Sequence, residues 1–360
     1  VRHISRYTRV AVGIAALALT ATACGETSSE SAQKEEKGGG SSASSTGYKG
    51  KGIGLAYDVG GRGDQSFNDS AFSGYDKARK ELKIGGQDLE PTDGESDADK
   101  VARLTQLATK GYNPIVGVGF AYAPAIKEVA PKFPKTTFGI VDDDTVKADN
   151  VADLVFHEEQ GSYLAGVAAA KVTKAKHVGF IGGVDVSLIH KFYAGFKAGV
   201  ASVDPKIKVE QQYLTEKAED GGFSSPNLGK EAAKGQLDKG ADVLYAAAGL
   251  SGQGVIEEAA GARKWAIGVD SDQYKQEPLA KYKDYILTSA LKDVGGAVYD
   301  LTKSVVEGKP VTGETRFDLA SGRVGLSTAN PKYTAMTDVV AAVKKAEAGI
   351  KDGSITVPSS

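Results

Sequence analysis

Cysteine, methionine and tryptophan occur once each in 360 residues, and histidine four times. Cys24 alone excludes an internal disulfide. His3, His157, His177 and His190 stand too far apart for an H-E-x-x-H or related metal spacing. A P-loop and a G-x-S-x-G nucleophile elbow are both missing, so the sequence offers no catalytic motif, and neither a cofactor nor a metal is expected. Basic residues are not in excess: 44 Lys and Arg face 46 Asp and Glu, a net charge of −2. That balance gives no electrostatic footprint for nucleic acid. What is present, 41% hydrophobic and 25% charged residues, is a globular composition long enough for two domains.

The first 47 residues read differently from the rest. Arg2, Arg6 and Arg9 precede "VAVGIAALALTATAC", an apolar run too short to span a bilayer comfortably but suited to a signal-peptide core, which assigns residues 1–23 to a removable leader. It ends at Cys24, preceded by Ala21, Thr22 and Ala23 and followed by Gly25. This looks like a lipobox, in which Cys24 is acylated and holds the protein on the outer side of the cytoplasmic membrane. Plain secretory cleavage after "ATA" is the alternative, and it would leave a free thiol in an oxidising exterior. Residues 24–47 are rich in Gly, Ser and charge and cannot bury a core, so a flexible tether is expected there.

From Gly52 onward, apolar runs of strand length alternate with helical stretches. Helices are expected from about Phe67, Asp97 and Tyr122, then over "EEQGSYLAGVAAAKVT", and near 188–203, 227–239, 252–263, 295–307 and 333–348; "TRFDLASGRVGLS" reads as paired short strands. Such alternation predicts parallel sheets with crossover helices, in two similar lobes. Ligands of doubly wound sheets sit beyond the carboxyl ends of the strands. The residues just past each strand should therefore converge: Asp58 with Phe67 and Asn68, Gly119 and Phe120, Asp142, Gly182 and Gly183, Gly249, Asp270 and Lys292.

Four features bear on chemistry. "YDVGGRGDQSFNDSAFSGYDKA", from Tyr57, sets Asp58, Asp64, Ser66, Phe67 and Asn68 among glycines where a strand ends and a helix begins. Both a ligand-binding corner and ordinary caps and turns fit it. Asp270 and Lys292 each close a strand, and a carboxylate with an ammonium suits a vicinal diol, although a cap and a surface lysine would look the same. "AAAGLSGQG" is a Gly-rich turn in the order G-x-x-G-x-G, a weak echo of a dinucleotide fingerprint. Phe67, Phe120, Tyr122, Phe192 and Tyr245 could clamp a flat base, with stacking worth roughly 1 to 3 kcal/mol per contact, or could simply be core.

The segments "DVGGRGDQSFND", "FHEEQGSYLAG", "VGFIGGVDVSLIHKFYAGFKAG", "AAGLSGQG", "GVDSDQ" and "LTSALKDVGGAVYD", in this order after a lipobox, resemble the basic membrane protein family of ABC-transporter substrate-binding lipoproteins. The resemblance implies a type I periplasmic-binding-protein fold, two doubly wound α/β lobes joined by three crossovers around a ligand cleft. It divides the chain into lobe 1, 48–157 completed by about 271–293, and lobe 2, 158–270 completed by about 294–352. It implies a monomeric, non-enzymatic receptor that captures a nucleoside, in the first instance a purine, and hands it to an ABC permease. Carried over by motif, Asp58, Phe67 and Asn68 lie on the base side, Tyr245 is the opposing aromatic, and Gly249, Asp270 and Lys292 hold the ribose; Phe120 remains a ligand-binding candidate as a strand-end aromatic. Pro124 stands where many relatives carry a base-reading aspartate, and Ser187 where they often have proline, which leaves base identity open. A same-fold receptor for a sugar or signalling molecule, and a ligand-sensing lipoprotein, are the alternatives.

Overall fold

The computed structural model describes residues 47–92 and 94–360. The leader, Cys24 and nearly all of the tether lie outside the described residues. Two parallel sheets form the frame, and each begins as a run of five strands. In the first these are β1 (Ile53–Ala56), β2 (Gly86–Leu89), β3 (Ile115–Gly117), β4 (Phe138–Val141) and β5 (Val151–Phe156); helices α1 (Phe67–Leu82), α2 (Asp97–Thr109) and α3 (Ala123–Val129) alternate with them. Next come α4 (Glu158–Val172), β6 (His177–Val184), α5 (Ser187–Val203), β7 (Lys208–Thr215), α6 (Pro226–Asp238), β8 (Val243–Ala247), α7 (Ser251–Gly261), β9 (Trp265–Asp270) and β10 (Ile286–Lys292). The chain finishes with α8 (Val294–Val306), β11 (Gly313–Phe317), β12 (Val324–Leu326), α9 (Pro331–Thr334) and α10 (Thr337–Lys351).

The strand orders are 11-5-4-3-1-2 and 12-10-9-8-6-7. Both lobes therefore repeat the doubly wound pattern in which the second strand turns back beside the first, which puts a crevice between the first and third strands of each. Fully buried runs such as "IGLA" in β1 and "VLYAA" in β8 form the central strands, since helices cover both faces and leave no polar side to alternate toward.

Two of the completing segments, 271–292 and 294–317, are exchanged relative to expectation. β10 pairs with β9 in the second sheet, so residues up to Lys292 belong to lobe 2. Only then does the chain cross back: α8 packs on α1 of lobe 1 and β11 pairs with β5. β12 joins β10, and α10 lies on α4, both in lobe 2. The two short strands of "TRFDLASGRVGLS" thus pair with different lobes rather than with each other. Local patterning names a strand but not its partner, and β10 continues the parallel winding of lobe 2 before the crossover. Three passages between the lobes result, after β5, after β10 and after β11.

Helix α4 is buried along most of its length and lies against α5. Glycines permit the approach: a β-carbon on Gly199 would lie 2.0 Å from the carbonyl oxygen of Tyr163, and one on Gly195 would lie 2.1 Å from that of Glu159. Gly235, on the exposed face of α6, would meet nothing within 4 Å. Gly199→Ala should therefore destabilise the protein by about 1–3 kcal/mol through overpacking, whereas Gly235→Ala should stabilise it by up to about 1 kcal/mol through helix propensity. Urea unfolding of the two variants checks the opposite signs.

Candidate functional site

The loop after β1 divides its polar residues between scaffold and site. The Asp64 carboxylate accepts from the backbone N–H groups of Ser66 (2.9 Å), Asn68 (2.8 Å) and Asp69 (3.1 Å). It satisfies the free donors that open α1, which is the capping role. Asn68 Oδ1 accepts from the Asp58 backbone N–H at 3.0 Å and so fixes where Asp58 points. Asp58 itself receives only the Val59 N–H, at 2.8 Å, and its other oxygen lies where a β-carbon on Gly119 would intrude at 2.1 Å. Only glycine fits there, with φ at +98°.

The ends of β4, β9 and β10 supply the charged floor. Lys292 is 3% exposed. Its ammonium lies 2.5 Å from Asp142 and 3.9 Å from Glu158, with Phe67, Phe156 and Phe192 ring centres 4.9, 5.3 and 5.5 Å away. Asp142 and Asp270 occupy equivalent places at the ends of β4 and β9, both with left-handed backbone at φ +68° and +61°. Asp270 Oδ2 accepts from the Ser66 hydroxyl at 2.6 Å across the lobes. Ser271 donates its hydroxyl to the Ser66 carbonyl (2.7 Å) and Gln273 its amide to the Gln65 carbonyl (3.2 Å), so the closed lobes are latched beside the site.

Three buried carboxylate oxygens here have no hydrogen-bond partner among the described residues: Asp142 Oδ1, Asp270 Oδ1 and Glu158 Oε2, the last 3.7 Å from the Lys191 ammonium. Burial pulls the Lys292 ammonium down, but Asp142, Glu158 and Asp270 outweigh it and hold it above its ordinary value. Burial lifts Asp270, with Lys292 and the Ser66 hydroxyl opposing. Glu158 is pushed up to about 7 by burial against the pull of Lys292, and Asp58 to about 7 by burial against the Val59 N–H and Lys100.

A cavity between the lobes is lined by Asp58, Phe67, Asn68, Phe120, Gly249, Asp270 and Lys292, all seven expected, and by Asp142 and Gly119 from the strand-end rule. Tyr245 does not reach it. Its ring is fully buried against Phe180 and Phe196, and its hydroxyl lies 3.0 Å from Ser162 Oγ. It lies two residues too deep in β8, so Ala247 takes the lining position on that face. Gly182 and Gly183 are not in the lining, and a β-carbon on Gly183 would strike Phe223. Sequence reasoning missed Phe223, which stands in an irregular loop, and Glu158, which backs Lys292 from outside the lining and whose place at the start of α4 looks like any acidic first turn. The free space among these side chains is only about 60 Å³, well below the roughly 300 Å³ at which ligand pockets begin. A solute reaches the floor only when the lobes part.

A family model described as "ABC transporter substrate-binding protein PnrA-like" matches residues 53–359. The chain is 36% identical over 322 residues to the "ABC transporter nucleoside-binding protein BmpA" of Lactococcus lactis, covering 85% of this chain and 88% of that one. It is 36% identical over 320 residues to the "CD4+ T-cell-stimulating antigen" of Listeria monocytogenes, with 85% and 87% covered. An "uncharacterized lipoprotein" of Pyrococcus abyssi is 33% identical over 288 residues, 76% of this chain and 68% of its own. Among solved structures, an ABC transporter solute-binding protein from Aeropyrum pernix superposes with a TM-score of 0.74 at 28% identity, covering 86% of this chain and 93% of that one.

Because Asp58 and Glu158 have folded pKa values raised above the ordinary carboxylate range, their contribution to stability is full below about pH 4 and lost as pH rises through about 7. The ligand-free protein should melt at a higher temperature at pH 5.5 than at pH 7.5. Glu158→Gln, which cannot ionise, should flatten that slope. A slope of opposite sign in the unsubstituted protein would contradict the assignment.

Proposed function

The chain belongs to the Bmp family of PnrA-like ABC transporter substrate-binding proteins, and from that premise we propose that the solute it captures is a nucleoside. Family membership implies a small-molecule ligand and a membrane permease as partners. The observation that carries the nucleoside reading is the floor of the site: the buried Lys292 ammonium, set among the rings of Phe67 and Phe192, beside lining carboxylates of Asp142 and Asp270 that each keep one oxygen without a hydrogen-bond partner among the described residues. Buried acceptors without partners cost free energy until donors reach them. Adjacent sugar hydroxyls are such donors, since each can donate to a carboxylate and accept from the ammonium. The rings, with Phe223 and Leu188 nearby in the lining, suit the flat apolar base at the other end. The name of the Lactococcus relative points the same way.

Binding rather than reaction is the work assigned to the site. Asp58 and Asn68 would face the base, and Gly249, Asp270 and Lys292 the ribose. Closure of the lobes would bury the solute and present a recognisable state to the permease. An acylated Cys24 would keep the protein on the outer face of the cytoplasmic membrane, in keeping with lipoprotein relatives. Because carboxylates outnumber the ammonium, a phosphate ester should be rejected. The floor of Asp142, Asp270 and Lys292 supports one other reading, a receptor for a smaller polyol such as a free sugar.

Isothermal titration of residues 47–360, unfolded and refolded to remove carried-over solute, tests this against adenosine, guanosine, inosine, cytidine, uridine, ribose and AMP. Submicromolar binding of at least one nucleoside, with ribose silent and AMP at least a hundredfold weaker than adenosine wherever adenosine binds, is expected. Silence toward every nucleoside from folded protein would sink the proposal, and binding of ribose alone would favour the sugar. Asp270→Ala should cost about 2–3 kcal/mol of nucleoside affinity by leaving ribose hydroxyls unpaired in a closed cleft. Phe67→Ala should cost about 1–3 kcal/mol. Unchanged affinity in either variant removes that residue from the site.

A further inference from the structure

With the lobes closed, the site keeps about 60 Å³ of free space, but a neighbouring space of about 970 Å³ stays open beside it. Asp58, Val59 and Phe120 line both, so the two meet at that edge. Lys292, Asp142 and Asp270 line only the site, at its charged floor. The junction therefore lies at the end away from the groups that would hold a sugar. Its wall is mixed: the apolar Ala121, Pro124, Val184, Val186 and Leu250 stand among charged residues such as Lys100 and Glu95. The loop at Gly60 stands close to Phe223, Ser224 and Leu250 of lobe 2, so this space persists although the lobes touch along one side of it.

We propose that the site admits nucleosides bearing an apolar substituent on the edge of the base opposite the sugar, the substituent lodging in this side space. The inference rests on the nucleoside reading and narrows it to a substrate class. With the sugar fixed at Lys292 and Asp270, the base edge furthest from the glycosidic bond points toward Asp58, Val59 and Phe120. In adenine that edge carries the 6-amino group, and in cytosine the 4-amino group. A larger acidic side chain at position 124 would project into the side space, and proline leaves that space clear while adding apolar surface. A substituent of alkyl or aryl character would exchange water for the wall of Val184, Val186 and Leu250, a favourable transfer.

Titration of the purified protein with two pairs of probes, adenosine with N6-benzyladenosine and cytidine with N4-benzylcytidine, tests it. The expected result is that the benzylated member of whichever pair binds is within tenfold of its parent. Ala121→Trp, which adds bulk beside the junction at a residue that lines the side space and not the site, should then weaken the benzylated probe by at least tenfold and leave the parent within twofold. A benzylated probe more than tenfold weaker than a parent that does bind overturns this inference and leaves the nucleoside reading standing. Equal effects of Ala121→Trp on both members overturn it too. If neither parent binds to protein shown to be folded, the inference falls; whether the nucleoside reading falls with it is decided by the wider nucleoside panel.

Discussion

The buried Lys292 ammonium is the constraint around which the cleft is arranged. An isolated buried charge costs several kcal/mol, and a partner must come close to repay it. Asp142 from lobe 1 meets it directly, with Glu158 and Asp270 of lobe 2 around it. Lys292 ends β10 just before the chain crosses to α8, and Glu158 opens α4 just after the chain crosses from β5. The charge cluster therefore stands beside two of the three passages between the lobes. Movement of one lobe against the other should change Lys292's distance from Asp142 while disturbing Glu158 and Asp270, on its own lobe, much less. This makes the cluster an electrostatic link between closure and whatever occupies the site.

The internal duplication of the fold explains how such a cluster arises. Both sheets run in the same order, and β4 and β9 hold the same place in each, ending in Asp142 and Asp270 with left-handed backbone. A non-glycine residue in that conformation is uncommon, and aspartate is among those that adopt it at least cost. The strained ends aim two carboxylates at one point from opposite lobes. Gly119 and Gly249 likewise follow β3 and β8, both with positive φ. Symmetry of backbone thus supplies the acids and the open corners, while asymmetry of side chain, Glu158 following β5 and Lys292 ending β10, supplies the opposite charge.

Much of this was legible in the sequence because it depends on local order. Strand-length apolar runs between helical stretches mark the winding, and the rule that ligands gather past strand ends found Asp142, Gly249, Asp270 and Lys292 without any contact being known. The choice between a ligand corner and ordinary caps in the loop after β1 needed coordinates: both Asp58 and Asp64 line the cavity, but the Asp64 carboxylate caps α1 whereas Asp58 receives the Val59 N–H alone, and the two residue types are the same. Partner choice was equally hidden. Nothing in "YILTSALK" says that it pairs with β9 rather than completing lobe 1, since pairing is decided by where the preceding connection leads. Tyr245 failed for a geometric reason, because a strand residue two positions short of the end shares the face of the site but not its depth. Glu158 was missed because burial of an acidic first turn leaves no mark in the sequence.

The same unpartnered oxygens that suggest a ligand also decide how the lobes respond to one. In the closed arrangement the latch of Ser66, Ser271, Gln273 and Asp270 is already satisfied by hydrogen bonds between the lobes. Closing over an empty site secures those bonds but buries carboxylate oxygens that water would otherwise serve, a penalty of about 1–3 kcal/mol for each such group. Closing over hydroxyls secures the same bonds and removes much of the penalty. The difference between the two is the free energy a solute can put into shifting the lobes, since a ligand moves a conformational equilibrium only by its differential affinity for the two states. Relief of the two lining oxygens, on Asp142 and Asp270, would supply a few kcal/mol, enough to turn a mostly open population into a mostly closed one. An apolar floor of the same shape could bind a base as tightly, yet it would forgo this source of coupling, because it would lose little by closing empty.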